Sequence, residues 1–283
     1  MTSSKPQARI FLIGNASKPS VVEVFKRLTD WLASEELLAG ADLNGTPEAV
    51  RESGADHVIA LGGDGTILHA AQVMGHHQIP IIGVNLGKLG YLADFDESEI
   101  RAGLSELLFN PKWISRRMML DVRIATPDDQ TWRDIAVNDC VIRVGDPFRT
   151  VSTEICINGH PLCTLHGDGV IVATPTGSTA HNMSCGGPIV EPGVDAVILT
   201  PKCAHSFTHR PIVVTADSEL RIRVLPESHG AAAVLDGQRI RLVSSETYIY
   251  VKKSAASFQL VRNPKRRPWD TLIMKLKWGQ DIT

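Results

Sequence analysis

The sequence predicts an α/β N-terminal domain with a parallel sheet, then a C-terminal β-rich, sandwich-like domain, and a tail that returns to the first domain. Three observations predict it. Short apolar runs alternate with helical patterns as far as Leu108, strands of period two bounded by turn residues replace them from Trp113, and a helical pattern reappears at Asp270. Parallel strands need long crossovers, usually helices, so the alternation in the first part implies a parallel sheet. The expected divisions are 1–112, 113–262 and 263–283.

The elements follow in order. Arg9 to Gly14 reads as a short buried strand, and Ser20 as the cap of a helix whose apolar face uses Val21, Val24, Phe25, Leu28 and Leu32. His57 to Leu61 is a second strand, Thr66 to Met74 a second helix, Ile79 to Val84 a third strand and Ser98 to Leu108 a last helix. Beyond Trp113, Leu120, Val122 and Ile124 alternate with polar residues, as do Leu220, Ile222 and Val224. Asn158-Gly159 and Asp236-Gly237 stand between strand-like runs as hairpin turns, because the favoured two-residue turn needs positive φ at both central positions. From Asp270 to Trp278 the tail is expected to be helical, with Leu272, Ile273 and Leu276 on one side.

Composition excludes several classes. A chain of 283 residues can bury a large core, its net charge is −2, and its basic residues are scattered, so no electrostatic footprint for nucleic acid is present. No apolar run approaches the roughly 18 to 20 residues of a membrane span, and Ile10 to Ile13 is too brief for the core of a signal peptide. The expected location is the cytoplasm, away from the membrane. Five cysteines without a Cys-x-x-Cys spacing fit reduced thiols, and His205 and His209, bracketed by Pro201 and Pro211 with no Glu between, read as ordinary residues rather than zinc ligands.

The strongest motif is Gly62-Gly63-Asp64-Gly65-Thr66, which follows an apolar strand and opens a helix. Glycines let the backbone approach a phosphate, and the N–H groups at a helix start carry partial positive charge. Asp64 would repel a phosphate unless it binds a metal, orients the attacking hydroxyl or accepts its proton, which points to chemistry rather than storage. Taken alone, the loop could still be a glycine-rich turn with a capping Asp. A second strand-loop-helix element, Thr174-Pro175-Thr176-Gly177-Ser178-Thr179-Ala180, concentrates hydroxyls and N–H groups suited to phosphate or ribose; a capped helix start is its bland alternative. Gly177 within it implies either positive φ or close approach of a ligand. Asn138-Asp139 can divide donor and acceptor duties on ribose hydroxyls, while Gly167-Asp168-Gly169 in isolation reads most simply as a tight turn.

Together with Asn85-x-Gly-x-Leu-Gly90-Tyr91, Gly186-Gly187-Pro188, Arg210-Pro211 and the closing Lys275-Leu276-Lys277-Trp278-Gly279, these motifs resemble the NAD kinase family in order and rough spacing over nearly the whole chain. The resemblance implies phosphoryl transfer from ATP or polyphosphate to the adenosine 2′-hydroxyl of NAD. It also implies NAD at the domain junction, a divalent metal such as Mg, and a homodimer or homotetramer. By matching position, Asp64 takes the catalytic role, with Gly62, Gly63, Gly65 and Thr66 around the donor phosphates. Asn138 and Asp139 would hold ribose hydroxyls and Asp168 the nicotinamide side, while Thr176 joins the NAD-binding loop. Thr179, Ala180, His181 and Ser184 would line the adenosine pocket, with Tyr91 as an aromatic wall. The resemblance assigns no metal ligands. Asp139 stands where the family typically has Glu, and His181 where it has Tyr, which bears on affinity more than on the reaction. Lipid kinases and phosphofructokinases share the Gly-Gly-Asp-Gly-Thr loop, and a dinucleotide sensor without activity would keep the fold; NADP formation separates these readings.

Overall fold

The computed structural model describes residues 8–87, 90–128, 130–147, 149–228, 230–267 and 269–277. They form two compact units, Met1–Arg116 with Phe258–Thr283, and Arg117–Ser257.

The first unit opens with β1 (Ile10–Ile13), α1 (Pro19–Ser34), β2 (Leu38–Asp42), α2 (Pro47–Glu52), β3 (His57–Leu61), α3 (Asp64–Met74), β4 (Ile81–Val84) and α4 (Glu97–Phe109). The strands lie in the order β2-β1-β3-β4, all parallel. Every residue of β1, β3 and β4 is buried, as expected of strands covered on both faces. Helix α1 buries Val21, Val24, Leu28 and Leu32. Its start differs from expectation: Pro19 occupies the first turn after Lys18, because its fixed φ is already helical, and Ser20 lies inside the helix. Helix α4 starts with a capping box, in which Asp96 accepts from the Glu99 N–H at 2.8 Å and Glu99 accepts from the Asp96 N–H at 3.1 Å.

The second unit is a sandwich. Its strands are β5 (Ile114–Ala125), whose first residues belong to the first unit, β6 (Thr131–Ala136), β7 (Asp139–Val144), β8 (Val151–Ile157), β9 (His160–Gly167), β10 (Gly169–Ala173), β11 (Ala196–Lys202), β12 (Ile212–Thr215), β13 (Leu220–Val224), β14 (Ala231–Leu235), β15 (Arg239–Val243) and β16 (Tyr248–Val261). One sheet runs β12-β11-β10-β7-β14-β15; in the other, β9, β8, β13 and β16 are neighbours in that order and β5 joins β16 to β6. Between them lies a core from both inner faces, including Leu120, Val122, Ile124, Cys140, Ile142, Val170, Leu220, Ile222, Val224, Ala233 and Ile249. The predicted turns are present: Asn158 and Gly159 have φ of 52° and 80°, and Asp236 and Gly237 have 51° and 68°. The last residues of β16 lie in the first unit, where Leu260 pairs with Ile81 of β4.

The tail forms α6 (Asp270–Leu276), grouped with the first unit. Its expected apolar side is not realised: Leu272 is buried, but Ile273 and Leu276 are exposed. Trp278 lies outside the described residues. Among the described residues, no helix is long and apolar enough to cross a membrane.

Candidate active site

In the first unit, β3 delivers the chain into Gly62 and Gly63, and Asp64 is the first residue of α3. The partial positive charge of the helix start is therefore set at the mouth of the glycine loop, as the sequence implies. The Asp64 carboxylate is half-buried and turned toward the following loop. It accepts the N–H of Tyr91 at 2.8 Å, of Leu92 at 2.9 Å and of Ala93 at 3.2 Å. A Cβ on Gly90 would overlap Asp64 Oδ1, so glycine is required there by the approach of the carboxylate. The motifs around Asp64 and Tyr91 are thus one structural unit, and part of the reason for an Asp in the loop is to hold residues 90–93. Lys88 and Leu89 lie outside the described residues.

Tyr91 places its ring beneath Lys275 Nζ, 4.8 Å from the centroid, and its hydroxyl is buried without a partner among the described residues. Burial, reinforced by the negative charge of Asp64, lifts that hydroxyl's pKa above the ordinary tyrosine value.

In the second unit, β7, β14 and the loop after β10 surround a cleft of about 290 Å³ lined by Asn138, Asp139, Val141, Arg143, Ala180, His181, Val234, Asp236, Gly237 and Ile240. Four of the expected NAD-binding residues, Asn138, Asp139, Ala180 and His181, meet there. Thr176, Thr179, Ser184 and Asp168 are not among its lining residues, and Tyr91 belongs to the other unit. The residue that the sequence reading missed is Asp236. Its carboxylate accepts the N–H groups of Val137 at 2.9 Å, Asn138 at 2.7 Å and Asp139 at 3.1 Å, so the hairpin turn also anchors the end of the neighbouring strand. A turn-forming Asp-Gly pair conceals this second role, because nothing local reveals which strand lies beside it.

The adjacent Asp139 is buried beside that carboxylate. Burial first, and repulsion from Asp236 second, push the Asp139 carboxyl up to about 7. The unfolded chain releases this proton near pH 4, whereas the folded chain keeps it until about pH 7. The raised value therefore contributes stability in full below about pH 4, and that contribution is lost as pH rises through the folded value. Asp139→Asn is expected to raise the melting temperature at pH 8 by several degrees, with the gain vanishing near pH 4, because the effect is a few kcal/mol at most. Calorimetric scans at the two pH values check this; equal melting temperatures at pH 8 would show that no such penalty exists. His181 is shifted the other way, its pKa lowered by burial and by the charges of Lys202 and Arg143.

The loop that follows β10 contains a short 3₁₀ turn, Thr176–Thr179, then α5, His181–Ser184. Its hydroxyls are mostly committed inward. Thr174 Oγ1 donates to the Val137 carbonyl at 2.6 Å and accepts the Gly177 N–H at 3.0 Å, while Ser178 Oγ bonds both the carbonyl and the N–H of Val190 at 3.0 Å. Thr176 Oγ1 is buried and has no partner among the described residues. The expectation that Gly177 makes room for ligand is corrected. Its φ is not positive, and a Cβ there would overlap the Asn138 carbonyl oxygen and stand 2.7 Å from the Asn138 Cα, so the glycine admits the backbone of a neighbouring strand. Gly167-Asp168-Gly169 is likewise more than a turn: it carries the chain from β9 in one sheet to β10 in the other, leaving Asp168 half-exposed at 3.9 Å from Lys202 Nζ.

Comparison with known proteins identifies the family and the fold. The ATP-NAD kinase N-terminal domain matches residues 41–110 and the ATP-NAD kinase C-terminal domain residues 137–263. The NAD kinase of Geobacter metallireducens is 38% identical over 226 residues, which cover 80% of each chain. That of Heliobacterium modesticaldum is 33% identical over 275 residues, covering 94% of this chain and 97% of its own. Among solved structures, yeast NADH kinase complexed with NADH has the same fold, with a TM-score of 0.88 at 24% identity over 99% of this chain and 90% of its own. An NAD kinase from Archaeoglobus fulgidus in complex with ATP gives 0.76 at 25% identity, over 95% and 98%. With both family domains matched in order and relatives of this identity aligned end to end, the chain belongs to the NAD kinase family.

Proposed function

We propose that the protein transfers a phosphoryl group from ATP, another triphosphate or polyphosphate to the adenosine 2′-hydroxyl of NAD, forming NADP. The observation that carries the reading is the carboxylate of Asp64 fixed at the mouth of a glycine loop and a helix N-terminus. Donor phosphates lie on the Gly62–Thr66 amides. Adenosine lies in the cleft of Asn138, Asp139, Ala180 and His181, with Asp139 and Asn138 on ribose hydroxyls. Asp64, whose carboxylate keeps lone pairs beyond its three N–H bonds, orients or deprotonates the attacking hydroxyl. Phosphoryl transfer depends chiefly on positioning and charge neutralisation, which the fixed amides supply. A Mg²⁺ ion needs only one or two carboxylates beside phosphate oxygens and water, so Asp64 fits one arriving with the donor, where it would screen phosphate charge.

The finer assignments rest on separate features. Five free cysteines fit a reducing cytoplasm. Ile240 and Leu242, exposed at 61% and 83% on the edge strand β15, suit a homodimer or homotetramer contact, which sedimentation would test. Incubating purified protein with NAD, Mg²⁺ and a panel of donors, and measuring NADP, tests the central reading; absence of NADP with every donor would overturn it, and NAD binding without turnover would identify a sensor.

His181→Tyr tests the adenosine cleft. Imidazole covers roughly 30 to 40 Å² less apolar surface than phenol, on the order of 1 kcal/mol. The substitution should lower the Michaelis constant for NAD at pH 8 several-fold, leave turnover nearly unchanged and flatten the pH dependence. A higher Michaelis constant would remove His181 from the adenine contact.

A further inference from the structure

The second unit has another cleft, of about 320 Å³, on the outer face of the sheet that contains β5, β6, β13 and β16. Arg123, Arg133, Arg221 and Lys252 line it, with Asp121, Glu219, Tyr250 and the Gly159 turn. We propose that this outer cleft binds a small polyvalent phosphate anion, at a site distinct from the adenosine cleft.

Strand alternation separates the two clefts. Leu120, Val122 and Ile124 of β5 point into the sandwich core, so Asp121 and Arg123 face outward; Cys140 and Ile142 of β7 point into the same core from the opposite sheet, so Asp139, Val141 and Arg143 face outward on the other side. The clefts open on opposite faces of one sandwich. Nothing in the proposed reaction uses the outer one.

Its charge arrangement is unfavourable without a ligand. Arg123 of β5 is directly opposite Arg133 of β6 in the antiparallel register, and like charges in that relation destabilise a sheet. Neighbouring arginines of the same face have partners: Arg223 pairs with Glu246, and Arg221 approaches Glu154 at 3.9 Å and donates to Cys156 Sγ at 3.2 Å. Arg123, Arg133 and Lys252 form no ion pair among the described residues, although Asp121 and Glu219 line the same cleft. Arg123 Cζ stands over the Tyr250 ring, 3.8 Å from its centroid, a contact that restrains where its guanidinium sits. A guanidinium restrained in this way, at the strand position opposite a second arginine, is suited to the oxygens of a phosphate, which neutralises both. The two carboxylates confine the anion to the arginine side of the cleft.

Titration of the full chain with inorganic pyrophosphate by isothermal calorimetry at low salt tests the site, with Arg133→Gln and the Arg123→Gln/Arg133→Gln pair as variants. Wild-type protein should bind with affinity that falls as salt rises, and the double variant at least tenfold more weakly. NADP formation should stay within about twofold. In phosphate-free buffer Arg133→Gln should melt no lower than wild type, since it removes a repulsion and leaves the Arg123–Tyr250 contact in place; a structural role for Arg133 would lower the melting temperature instead. Free pyrophosphate and the diphosphate of a nucleotide share this chemistry, and comparing pyrophosphate with ADP in the arginine-dependent component assigns the source. Unchanged pyrophosphate affinity in the double variant would overturn the proposal, placing the anion elsewhere. So would a lower melting temperature in Arg133→Gln, or a smaller sedimenting species that makes this face a subunit contact. Loss of NADP formation in wild type would bear on the proposed reaction and leave this site standing.

Discussion

Asp64→Asn is expected to reduce turnover by about 10²- to 10⁴-fold, the range of an orienting or general-base group. The structure adds a second route to the loss. An Asn can still accept the Leu92 and Ala93 N–H groups through Oδ1, but its amide nitrogen would then confront the Tyr91 N–H, which the carboxylate holds at 2.8 Å. Two donors cannot share that position, so the loop around Tyr91 loosens and the melting temperature falls by a few degrees, in line with about 1.5 to 3 kcal/mol for a bond to a charged group. The cleft proposed for NAD lies in the other unit, so affinity measured by calorimetry should change by less than about threefold, under 1 kcal/mol. A variant that retains more than half of wild-type turnover would remove Asp64 from the mechanism. One with lost turnover and an unaltered melting temperature would show that the three N–H bonds contribute little to stability.

Gly177→Val should be the most damaging single change in the second unit. The atoms that a side chain meets are the Asn138 carbonyl and Cα, which belong to the backbone and cannot swing aside as a side-chain end would. To admit a Cβ, the loop must leave the strand and break the bond from the Thr174 N–H to the Asn138 carbonyl at 2.8 Å and that from Thr174 Oγ1 to the Val137 carbonyl. Buried overpacking against backbone, together with lost hydrogen bonds, costs more than about 4 kcal/mol, or roughly 10 °C or more for a unit of this size. NADP formation should be lost in parallel, because Asn138 and Asp139 move with the strand. Gly177→Ala is the milder check: a melting temperature within two or three degrees of wild type would show that the loop and strand are less tightly joined than the geometry indicates.

The physical reason for each success and failure of the sequence reading is one of range. His57 to Leu61 is uniformly apolar, the glycines follow it, and a helical pattern comes next; these are local facts, and β3, the loop and α3 follow from them. Asn158-Gly159 and Asp236-Gly237 specify their turns because the required φ values belong to those residues themselves. Where the local pattern is weak, elements were missed. The strand Leu38–Asp42 is Leu-Ala-Gly-Ala-Asp, half-buried with no alternation, and Pro47–Glu52 buries only Val50, so pairing with β1 and packing decide both.

The chain by itself determined the alternation of strand and helix in the first unit, the change to strands in the second and the family to which the motifs belong, since propensity, periodicity and motif spacing are properties of neighbours in sequence. Only the tertiary structure decided what the side chains do. Asp64 meets residues 27 to 29 positions away, and Asp236 meets strand residues 97 to 99 positions away. Burial and the neighbouring Asp236 raise the Asp139 carboxyl to about 7, and the strand end at Asn138 demands glycine at 177. Hydrogen bonding, desolvation and excluded volume act through space, and the spacing of residues along a chain does not record which distant segment will occupy that space.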